Sequence, residues 1–236
     1  DGFLVISAKP MQAPLLGNGG AATDIWGFAG SAVINARQGQ ELKLRFVNER
    51  PDEIWLHFFG VRGPSELMTI NVPPGEGHAV DCVFTPPDAG TFWIGPVADA
   101  SKVRDMGLVA MLVVEEANQP ADLTDLPLIL DDWKLEEGGA VEGGFGDVEA
   151  MVGEGRLGNW FTVNNLFRPK LALKAGQFTR LRFLNAANVR NMGLLFKGHD
   201  PLLVALDGQP VKPRLLDQKA LVLAPGQRAD LLASPE

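Results

Sequence analysis

Two segments of the chain are copies of one another. Residues 36–48 (ARQGQELKLRFVN) and residues 173–185 (LKAGQFTRLRFLN) each place a glycine turn before an alternating run and end in asparagine. A second pair follows, VPPGE at 72–76 and LAPGQ at 223–227, each just before another apolar run. An internal repeat indicates two units built on one plan. We therefore predict two domains, residues 1–118 and 119–236, with their boundary in a polar stretch that contains Pro120.

The repeated segments have the side-chain period of a β-strand. Leu42, Leu44 and Phe46 alternate with more polar neighbours, which gives one buried face and one mostly wet face. No helical stripe of useful length is present, so the sequence predicts an all-β protein made of sandwiches. Further strands are predicted at residues 3–8, 79–84, 108–114, 126–130, 179–184, 202–206 and 221–223.

The second copy ends sooner than the first. After VPPGE the first copy continues through Gly90 to Val114, whereas the sequence stops at Glu236, soon after LAPGQ. We expect the second domain to lack its last strands.

Residues 136–158 are rich in glycine and in acidic side chains and have little periodicity. This composition is typical of a solvent-exposed loop. We expect a mobile loop there, without a metal role for its carboxylates.

Charge and apolar runs exclude several classes of partner. The formal net charge of -8 does not indicate a basic surface that would bind nucleic acid or an anionic membrane. No apolar run approaches the roughly 18 residues of a membrane-spanning helix. The first residues lack the regions of a signal peptide, so we expect either a cytosolic protein or one whose leader has been removed. Cys82 is the only cysteine, which excludes an internal disulfide and predicts a buried strand thiol.

Five motifs together resemble those of bacterial multicopper oxidases. The resemblance covers essentially the whole chain and implies the first two domains of a three-domain, laccase-like member. The implied fold is two tandem cupredoxin-like Greek-key β-sandwiches, and the implied location is the bacterial periplasm or the secreted fraction. The motifs are LHFFG at 56–60, FTPPDAGTFW at 84–93, LDDW at 130–133, GRLGN at 155–159 and LAPGQR at 223–228.

The resemblance implies where copper ligands should stand. In the family a type 1 copper takes electrons from substrate, and a trinuclear copper cluster, held partly by two His-x-His pairs of the first domain, reduces dioxygen. A His-x-His pair suits this task because alternate strand residues point to one face and neutral imidazole binds copper. By position, His57 matches the first histidine, a type 2 copper ligand. Phe59, Gly95 and Val97 stand where the other three are expected.

These replacements remove the lone pairs that would bind metal. We therefore expect copper to be the cofactor of the family but not to be bound by this segment, and we assign no catalytic residue. We also expect Phe59 to fill the space that metal would occupy, because voids are costly. His57 has a second interpretation, as a hydrogen-bonded structural residue beside Phe58 and Phe59.

Other candidate groups are interpreted as structural. His78 and His199 lie at predicted turns, where we expect structural or solvent-exposed side chains. Asp131 and Asp132 are adjacent on a predicted strand and should point to opposite faces, so they are not expected to act as an acid pair.

Three functions stay open on the sequence. The first is a copper-free or catalytically altered family member that acts as a binding or assembly module; the family includes such an exported scaffold at the bacterial division site. The second is a copper-dependent oxidoreductase whose type 1 copper lies in a third domain. The third, a complete two-domain copper protein, is disfavoured because no histidine lies within three residues of Cys82. Expected partners are a third cupredoxin domain and a further protein.

Overall fold

The computed structural model describes residues 2–17, 19–30 and 32–234. The described residues of the first half form nine strands, and their alternating side chains pack between two sheets. These strands are β1 (Leu4–Ala13), β2 (Thr23–Ala29), β3 (Val33–Arg37), β4 (Leu42–Asn48), β5 (Ile54–Phe59), β6 (Thr69–Val72), β7 (Val80–Phe84), β8 (Gly90–Pro96) and β9 (Ala110–Glu115). One sheet has the order β2-β1-β4-β7 and the other β3-β9-β8-β5-β6. The predicted all-β sandwich is confirmed.

The second half repeats part of this plan. Its strands are β10 (Thr124–Trp133), β11 (Trp160–Val163), β12 (Thr179–Asn185), β13 (Met192–Leu194), β14 (Leu202–Leu206), β15 (Gln209–Leu215), β16 (Leu221–Leu223) and β17 (Arg228–Ala233). A six-stranded sheet runs β11-β10-β12-β17-β14-β15, and β13 pairs with β16.

The internal repeat corresponds to the same strand arrangement in both halves. β4 lies parallel to β1 and antiparallel to β7, and β12 lies parallel to β10 and antiparallel to β17. The copied segments are therefore structurally equivalent strands. The exact domain bounds, 1–118 and 119–236, stay a prediction.

The alternation in β4 produces the first core. Leu42, Leu44 and Phe46 are buried, while the residues between them are only half-buried. Phe58 packs edge-on against Phe46, with ring centres 6.0 Å apart. Cys82 of β7 is fully buried in the same core, as predicted, and this burial raises the pKa of its thiol to about 11.

Short helices occupy three connections that the strand pattern left unassigned. They are α1 (Ser65–Met68), α2 (Ala100–Asp105) and α3 (Val148–Val152), and a 3₁₀ turn spans Glu76–His78. No helix within the described residues is both long and apolar enough to span a bilayer.

Residues 136–158, for which the sequence predicts a mobile loop, contain some regular structure. The segment contains α3, whose first turn is capped because the Asp147 carboxylate accepts a hydrogen bond from the Glu149 N–H at 2.9 Å. Near its end, the Arg156 Nε lies 2.5 Å from the Asp105 carboxylate in a buried ion pair. Local capping and one long-range ion pair therefore give this glycine-rich segment a defined path.

The two halves share a buried junction. Trp93, Val109 and Met111 from the first half form one apolar cluster with Ile129 and Leu184 from the second. Beside this cluster, the fully buried Arg182 of β12 binds Asp125 and Asp230 at 2.8 and 2.9 Å. Its Nη1 also donates a hydrogen bond to the Thr91 hydroxyl of β8 at 2.9 Å.

Candidate functional site

Neighbouring strands β5 and β8 place three of the predicted positions together. His57 lies opposite Gly95, and Phe59 lies opposite Trp93. Leu56 and Phe58, which alternate with them on β5, are fully buried in the first core. His57, Phe59 and Gly95 therefore lie on the other face of this sheet. Val97 follows the end of β8, is 45% exposed, and donates its backbone N–H to the Trp55 carbonyl at 3.0 Å.

An aromatic stack covers this face of the sheet. Phe59 stacks on Trp93 with ring centres 3.9 Å apart and an angle of 8° between the planes. The Trp93 indole also lies over Gly95, so that a Cβ atom at residue 95 would stand 2.2 Å from its Cζ3. Trp93 itself is 2% exposed. The space beside Gly95 is thus filled by an indole that only glycine accommodates.

His57 makes a hydrogen bond that suits a structural histidine. Its Nδ1 lies 2.7 Å from the Thr69 hydroxyl oxygen, and its ring packs edge-on against Phe59 at 4.8 Å. Burial lowers the pKa of the imidazole, which favours the neutral ring. This hydrogen bond is consistent with the structural interpretation of His57, whereas its role as a remnant copper ligand stays a prediction.

The residues present do not fit the first-domain half of a trinuclear copper cluster. A phenyl ring, a glycine hydrogen and an isopropyl group supply no lone pair. The Trp93 indole also fills the place that an imidazole on residue 95 would need. Within the described ranges, no group of three or more His, Cys, Asp or Glu side chains is arranged to hold a metal ion.

The two other histidines lie away from this face. The Nδ1 of His78 lies 2.8 Å from the Pro74 carbonyl oxygen at the 3₁₀ turn. His199 is exposed, and its backbone carbonyl accepts a hydrogen bond from Gln218 at 3.1 Å. Both positions agree with the expected structural roles.

The adjacent carboxylates of β10 have separate partners. Asp132 accepts hydrogen bonds from the Gly158 N–H at 2.7 Å and from the Arg190 Nε at 2.8 Å. Asp131 accepts the Asp132 N–H at 2.9 Å, and burial raises the pKa of its carboxyl well above the usual range. The Asp132 carboxylate is held by an ion pair and a backbone N–H, an arrangement that serves structure rather than acid catalysis.

The sequence did not predict that the Trp93 ring covers Gly95, nor the buried contacts between the two halves of the chain. The available signal was a glycine two residues after a tryptophan, because alternate strand residues share a face and a glycine there leaves room for the ring. The ion pair between Asp105 and Arg156 had no such signal, since it joins α2 to the segment after α3, 51 residues later.

We predict that Asp105 lowers stability as the pH rises from about 4 to about 6. Burial raises its pKa from 3.8 to about 6 despite the ion pair with Arg156. The folded state keeps this proton to higher pH than the unfolded chain, so the stabilisation is complete below pH 3.8 and is lost as the pH rises through about 6. Chemical denaturation at a series of pH values should show that the unfolding free energy falls less steeply over this range in Asp105→Asn than in the parent protein.

An exposed carboxylate provides the control for this measurement. Asp217 is 81% exposed and pairs only with Lys219 in the described part of the chain. Asp217→Asn should leave the pH profile of the unfolding free energy unchanged. If Asp105→Asn follows the parent profile over the same range, Asp105 does not titrate there.

Comparison with known proteins identifies the family. A family model described as multicopper oxidase matches residues 125–235, and a second model of the same description matches residues 13–119. The crystal structure of a multi-copper oxidase from Pseudomonas thermotolerans superposes with a TM-score of 0.89 at 36% identity, over 99% of this chain and 58% of that one. Lac15 from a marine microbial metagenome gives a TM-score of 0.81 at 31% identity, over 98% of this chain and 60% of that one.

Curated relatives carry a different name. Cell division protein FtsP of Gallibacterium anatis is 27% identical over 226 residues, which cover 89% of this chain and 47% of the relative. The chain thus spans about half the length of the curated relatives that it matches. The two family models and the superposed structures confirm the resemblance stated from the motifs: this chain belongs to the multicopper oxidase family.

Proposed function

We propose that this chain is part of a multicopper-oxidase-family protein that acts as a binding or assembly module and does not reduce dioxygen as laccases do. The observation that carries the proposal is the closed aromatic face, where Trp93 lies over Gly95 and stacks on Phe59. Oxygen reduction in the family requires the trinuclear cluster, and His57 alone keeps an imidazole among the four ligand positions that the resemblance assigns to this half.

The relatives named FtsP support a role outside oxidation. Their name assigns them to cell division. A role as a scaffold within a protein assembly would be compatible with that assignment. We propose a periplasmic or secreted location and two partners: a third cupredoxin domain, which in the family faces the His57 side of the first domain, and a further protein of the assembly.

Copper analysis of the full-length protein tests this proposal. After loading with Cu(II) under oxidising conditions and removal of free metal, elemental analysis should find less than one copper per chain, and oxygen consumption with a laccase substrate should be absent. Several copper ions per chain together with oxygen reduction would overturn the proposal. His57→Gln provides a matched variant, since it should leave both results unchanged if His57 is structural.

A second candidate is a copper-dependent oxidoreductase with type 1 copper in a third domain. The 36% identity to the Pseudomonas thermotolerans oxidase favours it. It predicts one copper per chain with the intense visible absorption of a copper–thiolate bond and no oxygen reduction. Finding that band would replace the first proposal with this one.

A further inference from the structure

A cavity lies between α2 of the first half and the segment that carries α3. Its volume is about 380 Å³. Ser101 and Arg104 line it from the first half, and Gly144, Arg156 and Asn188 line it from the second. Because both halves contribute, the cavity exists only when they are packed together.

Most charged side chains of this cavity are already paired. The Lys134 Nζ lies 2.8 Å from the Glu142 carboxylate, and Arg156 pairs with Asp105. Asp147 accepts the hydrogen bond that caps α3. Arg104 differs because it forms no salt bridge among the described residues, and its buried Nε has no hydrogen-bond partner there. The Arg156 Nε also lacks a hydrogen bond, but Asp105 compensates its charge.

Two carboxyl groups, of Asp131 and Asp105, attract Arg104, but neither forms a salt bridge with it among the described residues. Asp105 is engaged by Arg156 and by the Asn188 side-chain amide. Asp131 accepts a backbone N–H, and its burial favours the neutral form. Loss of hydration is the main cause that lowers the pKa of Arg104, and the Cζ of its guanidinium lies 5.0 Å from the centre of the Trp93 ring. A desolvated cation therefore borders the cavity, and the attraction of Asp131 and Asp105 offsets its loss of hydration only in part.

A partly buried guanidinium that has lost hydration and forms no salt bridge is costly, and an anionic ligand would offset that cost. We propose that this cavity binds a small molecule through an oxyanion group, a carboxylate or a phosphate, held by the Arg104 guanidinium. The planar fork of arginine matches either group with two parallel hydrogen bonds. The rest of the ligand would contact an apolar wall formed by Ala100, Ala150 and Val189. The site lies behind the Phe59–Trp93 stack and does not depend on copper.

Calorimetric titration of the full-length protein with inorganic phosphate and, separately, with succinate tests the site. At least one anion should bind with one-to-one stoichiometry, and the tighter of the two identifies the oxyanion class. Arg104→Met keeps the apolar stem and removes the charge, so it should weaken binding roughly tenfold to a hundredfold. Arg104→Lys keeps the charge without the fork and should weaken it less.

An exposed arginine provides the matched control. Arg214→Met on β15 should leave affinity unchanged, because Arg214 is exposed and far from this cavity in the sheet order. If Arg104→Met binds either anion as tightly as the parent protein, or if neither anion binds the parent, the proposal is overturned.

A measurement on the parent protein keeps the test independent of variant folding. Amide hydrogen exchange followed by mass spectrometry should show anion-dependent protection in residues 100–105 and 142–156. Protection confined to other segments would place the anion elsewhere and contradict the assignment.

Discussion

Replacing Arg182 with methionine should lower the free energy of unfolding by about 3–5 kcal/mol. The guanidinium is fully buried, with Nε 2.8 Å from Asp125 and Nη1 2.9 Å from Asp230. Methionine fills most of the volume but leaves both carboxylates without their main cation. Asp230 is affected most, because its burial already raises the pKa of its carboxyl while Arg182 opposes the rise.

Urea denaturation followed by circular dichroism measures this loss. Arg214→Met makes the same chemical change on an exposed side chain and should alter the unfolding free energy by less than about 0.5 kcal/mol. A loss below about 1 kcal/mol in Arg182→Met would mean that the buried network contributes little net stability.

Arg182 also connects the two halves, and a double-mutant cycle can isolate that link. Its Nη1 donates to the Thr91 hydroxyl, which in turn donates to Asp230 at 2.6 Å. Thr91→Val should lower the unfolding free energy by less in the Arg182→Met variant than in the parent protein. Additive effects would show that the hydroxyl and the guanidinium act independently.

Replacing Gly95 with alanine should destabilise the protein by about 1–3 kcal/mol. The added methyl would meet the Trp93 ring at 2.2 Å, and that ring is held between Phe59 and a wall at Gly226. Trp93 must turn away, which breaks the stack and separates its ring from Arg104. Thermal unfolding should report the loss, and near-ultraviolet circular dichroism should report the changed tryptophan environment.

Gly193→Ala is the matched control for this substitution. Gly193 also lies in a strand, β13, but apart from its two chain neighbours no atom of the described residues lies within 4 Å of a Cβ placed there. Its stability should change by less than about 0.5 kcal/mol. Equal stability of Gly95→Ala and Gly193→Ala would show that the face beside Gly95 is open, which would remove the main support for the copper-free proposal.

The sequence predicted the strands of the first core well because period-two alternation decides which face is buried. The same reasoning fails on β12, the copy of β4. Arg182 corresponds to Arg45, which is half exposed and binds Asp81 at 2.6 Å, yet Arg182 is fully buried. The first half of the chain covers the face of β12 that would otherwise be exposed to solvent. Contacts between distant segments, which alternation does not encode, made this difference.

For the candidate site, too, the sequence predicted the positions of the residues but not the packing around them. Alternation along one strand puts His57 and Phe59 on one face. The family resemblance assigned Gly95 to the same site, and the pairing of β5 with β8 sets it opposite His57. The orientation of Trp93 and the pairing of Asp105 with Arg156 depend on the packing of the two halves. Alternation and the family resemblance therefore located the positions, and tertiary contacts determined what fills the space between them.

The outer strand of the six-stranded sheet limits what this chain can associate with. β15 lies at the sheet edge, and it contains Pro210, Lys212, Pro213 and Arg214. Proline has no amide hydrogen to donate to an added strand, and exposed charges oppose close approach of a second edge. Fibre growth by edge-to-edge stacking is thus discouraged at the β15 edge, so a partner that meets this edge is expected to bind side-chain surfaces rather than to add a strand.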